Sequence, residues 1–348
     1  MKIAVQVLNV ALFLTGLFAA LPPAAIASER THSKVLAAFR DVVSEPSKST
    51  VRVYSDGHKA ALGAVVAADG FVLTKASELK GKLECQLHDG RRMEAKLIGK
   101  DPALDLAMLK IDAKNLQVVH WSNADSPAVG SWLATPGLER DPEAIGVLSV
   151  GPRKIPAPSG ALGIQLDNDE GVARIMQIVP DSAAEKAGLE VGDKVTKVNS
   201  KVVKGRQELV DTIRSYMPGE KVQLLVIRAK EELSIEATLG SLAQLVHGDR
   251  AEFQNNLGGP LSERRAGFAS VLQHDTVLRP SDCGGPLVDL DGNVIGINIA
   301  RAGRVESFAL TVSSVKKVLA DLMSGKLAPV VVDAKVADAA KTAEKKVP

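Results

Sequence analysis

The chain has 348 residues, with 43 basic and 41 acidic side chains and a formal net charge of +2. That length suits two domains, and so even a charge gives no footprint for nucleic acid. Aromatics are 3% of residues against 45% hydrophobic, so the core is aliphatic. The six histidines are scattered and Cys85 and Cys283 stand far apart, so no metal-ligand spacing is present and nothing asks for a cofactor.

Residues 1–27 have the grammar of an export signal: Lys2, an apolar run, Pro22 and Pro23, then Ala25-Ile26-Ala27. Cleavage after Ala27 would leave an exported chain, periplasmic or extracellular, with no membrane span. The alternative is a retained anchor, because the apolar run is almost long enough to cross. Residues 28–49 read as an N-terminal helix and linker, with Val35, Phe39 and Val42 on one helical face. Strand patterns fill 50–151. "STVRVYS" is one strand; "ALGAVVAADGFVLTKAS" is a hairpin around Asp69-Gly70; "KLECQLHDGRRMEAKLIG" is a second around Asp89-Gly90. Alternation places Cys85 on the buried face with Leu83 and Leu87. "DLAMLKID" and "SWLATPG" continue the series, as a small barrel requires.

"GPRKIPAPSG", residues 151–160, has three prolines and two glycines and reads as a linker. An α+β unit follows over 158–240, with a short helix "SAAEKAGL", a longer one "RQELVDTIRSY" and two closing strands. Asp181 or Ser182 caps the short helix and Gly188 ends it. Leu209 and Ile213, four apart, face that unit's core. Residues 241–325 read as a helix-containing return segment, further strands and a closing helix "SVKKVLADLMSG". Residues 326–348 are rich in Ala and Lys and read as a disordered tail.

These motifs resemble a family. "GAVVAADGFVLTKASEL" and "DPALDLAMLKID" resemble the first half-barrel of the HtrA/Deg trypsin-fold serine proteases. "RPSDCGGPLVDLDGNVIGINIA" resembles their nucleophile loop, and "SGALGIQLD…DSAAEKAGLEVGDKV" is similar to their PDZ domains. The resemblance implies a mainly β protein, a discontinuous two-half-barrel trypsin-like fold with an α+β PDZ domain inserted. The insertion departs from the family, whose PDZ follows the protease domain. Each half-barrel alone is expected to have an open face, so residues 262–312 should fold back on 50–151.

The resemblance also assigns a site. The general-base histidine position falls on Ser77, which takes up no proton near pH 7. The orienting carboxylate falls on Asp105, the nucleophile on Cys283 and the glycine of the oxyanion hole on Ser281. A free thiol is only a few per cent ionised at pH 7 without a neighbouring cation. A serine at 281 invites a flipped peptide and an unformed hole. Of the six histidines, His274, nine residues before Cys283, is the nearest candidate to stand in; His32, His58, His88, His120 and His247 read as surface or packing residues. In the PDZ unit the resemblance assigns carboxylate holding and strand pairing to Leu162, Gly163, Ile164, Gln165 and Leu166. The leading reading is a catalytically inactive homologue that binds peptides or the C-termini of unfolded proteins, as sensor, adaptor or chaperone. Two others stay open: an endopeptidase using Cys283, and a homo-oligomeric scaffold.

Overall fold

A computed structural model describes residues 32–123, 126–169, 171–242 and 257–328. The export signal over 1–27, His247, most of the helix-containing return segment and the chain beyond Ala328 lie outside the described residues.

Strands β1 (Thr50–Ser55), β2 (His58–Ala67), β3 (Phe71–Lys75), β4 (Leu83–Gln86), β5 (Arg92–Asp101) and β6 (Leu106–Ile111) close into a barrel in the order β1-β2-β3-β6-β5-β4. The expected open face is therefore absent. Each of these strands has both edges paired within the set, which leaves no edge to template aggregation. Cys85 stands opposite Val53 and is fully buried with Val51, Leu87 and Leu109. Burial pushes its thiol up to about 12, the behaviour of a core residue.

A second barrel is built from two separated pieces of chain. Strands β7 (Trp132–Thr135) and β8 (Ala144–Ile155) join β17 (Phe268–His274), β18 (Pro286–Val288), β19 (Val294–Gly303) and β20 (Glu306–Thr311) in the order β17-β20-β19-β18-β7-β8. Residues 151–155 thus continue β8 instead of starting a linker. Ile155 pairs with Phe268 and Arg153 with Val271. The register shifts between the Arg153 and Val150 pairs, and Pro152 sits at that irregularity, where a missing N–H breaks no ladder bond.

Between β8 and β17 the chain builds an α+β unit. It begins at β9 (Gly160–Ala161) and ends at β16 (Gly240–Ser241), and these two strands pair with each other. Strands β10 (Ile164–Leu166) and β11 (Ile175–Ile178) form one hairpin. Strands β12 (Lys194–Val198), β13 (Lys201–Val202), β14 (Lys221–Arg228) and β15 (Glu231–Thr238) form a sheet in the order β13-β12-β14-β15. Ser182 caps the short helix α3 (Ala183–Lys186) by accepting from Glu185 N–H, and Gly188 takes a positive φ just past its end. Helix α4 (Arg206–Arg214) buries Leu209 and Ile213. The unit has its own core, drawn from residues 162–239, while a separate cluster runs from Leu73 and Met108 of the first barrel to Phe268 and Ile297 of the second.

The N-terminal segment forms two helices, α1 (Ser33–Ala37) and α2 (Arg40–Lys48), so helix runs almost to the end of the 28–49 segment. Pro46 lies inside α2. Burial of Val43, Pro46 and Ser47, with α2 packed against β1, β7 and β18, outweighs the low helix propensity there. The closing helix α5 (Val312–Met323) starts from Thr311, whose hydroxyl accepts from Ser314 N–H.

Candidate functional site

The end of β3 and the start of β6 meet where the resemblance places the base and its orienting carboxylate. Ser77 Oγ donates to Asp105 Oδ2 at 2.9 Å, and Ala76 N–H donates to Asp105 O at 2.8 Å. Asp105 is buried and takes a left-handed φ of 60°, uncommon for a residue with a side chain. Burial raises its carboxyl above the ordinary value, opposed by the Ser77 hydrogen bond and by the charges of Lys75 and Arg264. Lys75 is wholly buried, and its Nζ donates to Glu78 Oε1 at 3.0 Å. The sequence reading passed over this lysine. Its signal was present, since a lysine directly after a run of buried strand residues must find a carboxylate.

Cys283 follows a 3-10 turn over Pro280–Asp282. That turn directs Pro280 O at Cys283 N–H, 3.2 Å away. The thiol donates to Arg279 O at 3.7 Å and also meets the Ser262 side chain. Burial pushes it up to about 11, with Lys75 and the Ser262 contact opposing. An oxyanion hole needs backbone N–H groups aimed at one free point, and here the Cys283 donor is spent on Pro280. The loop is locked from the first barrel. Leu62 N–H of β2 donates to Cys283 O at 2.9 Å. Gly284 takes φ +98°, and a Cβ there would stand 2.4 Å from Leu62 O, so only glycine fits. Arg52 of β1 donates to Ser281 O at 2.7 Å and Asp282 Oδ1 at 3.2 Å, and pairs with Glu143. Arg279 closes the cluster onto Asp282 Oδ2 at 2.8 Å. Neither Arg52 nor Glu143 was singled out from sequence, because their partners are long-range.

The structure therefore brings Ser77 to Asp105 and Ser281 to Arg52. Among the described residues no imidazole is hydrogen-bonded to the Cys283 sulfur. His274 is fully buried; its Nδ1 contacts Thr276 Oγ1 and its ring faces the Asn298 side chain. Burial lowers it to about 4, so the ring is neutral. His58 is the histidine that shares space with Ser281. Both line an open cleft of about 690 Å³ with Glu78, Arg279 and Glu263. His120 Nδ1 is 2.8 Å from Asn293 Oδ1, His32 caps α1, and His88 is exposed in the β4–β5 turn.

In the inserted unit a groove of about 320 Å³ opens between β10 and α4. Leu162, Gly163, Ile164 and Leu166 line it, together with Val179, Leu209, Val210 and Ile213. Gln165 does not; it alternates to the opposite face and is exposed. Among the described residues β10 pairs only with β11, which leaves its other edge unpaired there. The carbonyls of Leu162 and Gly163 are taken by Ala184 N–H and Val179 N–H, each at 2.8 Å. The N–H groups of Leu162 and Gly163 have no acceptor among the described residues. Gly163 holds φ +77°, which lets these two donors converge in a tight loop. Arg214 and Leu242 complete the rim and were not foreseen; Leu242 reaches it through the β16–β9 pairing, a contact between residues eighty apart.

Comparison with known proteins matches both parts. A family model described as a PDZ domain matches residues 160–239, and one described as a trypsin-like peptidase domain matches residues 61–172. The peptidase match stops before the Cys283 loop, which the chain reaches only after the inserted unit. A probable periplasmic serine endoprotease, DegP-like, from Chlamydia muridarum is 27% identical over 263 residues, 51% of this chain and 53% of the relative. The chain thus spans about half the length of that relative. A protein of the same description from a Marinomonas species is 24% identical over 371 residues, covering 78% of this chain and 77% of its own. Among solved structures, an HtrA-type protease, AlgW, with a decapeptide aligns with 58% of this chain and 98% of its own at 15% identity and a TM-score of 0.30. A serine endoprotease from Yersinia pestis aligns with 59% of this chain and 98% of its own at 19% identity and a TM-score of 0.28. With a trypsin-like double barrel and a PDZ domain in one chain, and DegP-like relatives along most of its length, the chain belongs to the HtrA/Deg family.

Proposed function

We propose that this chain is an exported, periplasmic HtrA homologue that no longer hydrolyses peptide bonds and instead binds peptides or protein C-termini in its PDZ groove. One observation carries the loss of hydrolysis: the Cys283 thiol is buried, donates to a carbonyl, and has its own N–H bonded to Pro280 O. A thiol near 11 is ionised in roughly one molecule in 10⁴ at neutral pH. Among the described residues no imidazole supports it, and general acid–base help alone is worth roughly 10²–10⁴-fold. Binding rests on the opposite condition of the groove. It is open and apolar, has an unpaired strand edge, and keeps the Leu162 and Gly163 N–H groups unspent. Such an edge takes an extended chain as an added strand, and converging N–H groups take a terminal carboxylate. The relatives' periplasmic description supports the location.

Two measurements test this reading. Full-length protein incubated with unfolded casein should leave it intact; fragments that disappear in Cys283→Ala would restore the peptidase. A fluorescent peptide ending in a free aliphatic residue should bind at least tenfold more tightly than its amidated twin. Equal binding of the two would remove the carboxylate cradle.

A further inference from the structure

Among the described residues, every polar side chain of α4 but one has a partner. Arg206 donates to Asn168 Oδ1 at 3.0 Å and Gln207 to Asp211 Oδ1 at 2.9 Å. Glu208 accepts from Lys204 N–H at 3.0 Å, and Thr212 Oγ1 donates to Glu208 O at 2.6 Å. Arg214 is the exception. It is the last residue of the helix, it is exposed, and its side chain has neither a hydrogen bond nor an ion pair among the described residues. It lines the groove of the inserted unit, and of the described residues that do so it alone carries a charge.

The chain around Arg214 fixes its place along the groove. Gly160 N–H donates to Tyr216 O at 2.7 Å, and a Cβ on Gly160 would stand 3.2 Å from Ile213 O. The last turn of α4 therefore lies against the chain entering the Leu162–Gly163 loop, the end where the unspent N–H groups converge. Leu209 and Ile213 are buried on the groove floor with Leu166. Val210 and Arg214, four apart, stand one turn from each other on the lip above them.

An extended chain added to the open edge of β10 alternates its side chains. With its terminal carboxylate on the Leu162 and Gly163 N–H groups, its last side chain descends to the floor. The side chain before that rises to the lip, at the level of Arg214. We propose that Arg214 reads an acidic side chain at the ligand's penultimate position, so that the groove selects C-termini ending in Asp or Glu followed by an aliphatic residue. This selection rests on the groove being a peptide site. The terminal carboxylate already meets two backbone donors, which leaves the forked donors of the guanidinium for a second carboxylate. No acidic side chain among the described residues lines the groove to hold the guanidinium back. A cation at a helix C-terminus also suits the helix dipole, but that role is blind to the ligand's side chains.

Fluorescein-labelled hexapeptides ending in Glu-Val and in Gln-Val, each with a free C-terminus, are titrated with the full-length protein by fluorescence anisotropy. The Glu peptide should bind about three- to fivefold more tightly, the range of one exposed ion pair. The gap should narrow as salt is raised. Arg214→Gln should erase the gap by weakening the Glu peptide alone, and Arg214→Glu should reverse it. Equal binding of the two peptides by the wild type, or a gap that survives Arg214→Gln, would overturn the proposal. So would a loss in Arg214→Gln shared equally by both peptides, which would assign the arginine to the terminal carboxylate. An amidated Glu-Val peptide separates this proposal from the cradle of N–H groups. If it binds as well as the free acid while the gap persists and depends on Arg214, the cradle falls and the acidic preference stands. No binding by any of the peptides would overturn both.

Discussion

Cys283 shows how much a single side chain's surroundings decide. A thiol at the tip of a nucleophile loop suggests reactivity, yet this one is packed with Ala144 and Leu278 and donates to Arg279 O. Burial raises it from 9.0 to about 11, so the folded protein holds a proton that the unfolded chain releases. The stability this contributes is complete below about pH 9 and is lost as pH rises towards 11. Urea midpoints measured from pH 8 to 10.5 should therefore fall more steeply for the wild type than for Cys283→Ala, by roughly 1 kcal/mol per pH unit. Matching slopes would mean the thiol is solvated. His274 works from the acid side. Lowered to about 4 by burial, it favours the folded state above its ordinary 6.5 and costs stability as pH falls from there towards 4. His274→Gln should reduce the loss of stability between pH 6.5 and 4.5, read by the same urea titration.

At the scale of elements, the loop after β17 is held by β1 and β2 of the other barrel more than by its own. Arg52 reaches from β1 to Ser281 O and Asp282, and Leu62 of β2 takes Cys283 O. The Arg52 and Asp282 side chains are 6% and 5% exposed. Removing one partner of such a buried pair strands the other's charge. Arg52→Met should cost roughly 3–5 kcal/mol of unfolding free energy, measured by urea denaturation. A loss below about 1 kcal/mol, the range of a surface pair, would show that water reaches the cluster. The same geometry explains why α2 outruns its sequence signal. Pro46 would end a free helix, but its carbonyl here accepts from Ser49 Oγ and Thr50 Oγ1 and hands the chain into β1.

At the scale of the molecule, the inserted unit hangs from one point. Gly160 pairs with Ser241, and Leu242 N–H donates to Ser159 O at 3.5 Å, so the incoming and outgoing chains lie side by side. Its core draws on no barrel residue. A domain with adjacent ends and a private core leaves its host intact when removed. Joining Ser159 to Leu242 should therefore preserve the double barrel, with Cys85 still protected from iodoacetamide, and residues 158–242 should fold alone by circular dichroism. Exposure of Cys85 in the excised chain would show that the barrels need the insert.

Period-two alternation and Asp-Gly turns are local signals, and they were enough to place both hairpins of the first barrel and the burial of Cys85. The resemblance carried by "SDCGGPLVDLDG" and "ALGIQLD" added the trypsin-like fold and the inserted PDZ, and Leu162, Gly163, Ile164 and Leu166 do line the groove. Local pattern failed where distant partners decide. Residues 151–155 became strand because β17 pairs with them. The Arg52 cluster and the Arg301–Ser262 backbone pairing join segments tens to hundreds of residues apart. Their energies come from desolvated charges and spent backbone donors, and no stretch of sequence states which charge will be left without water until the chain has closed around it.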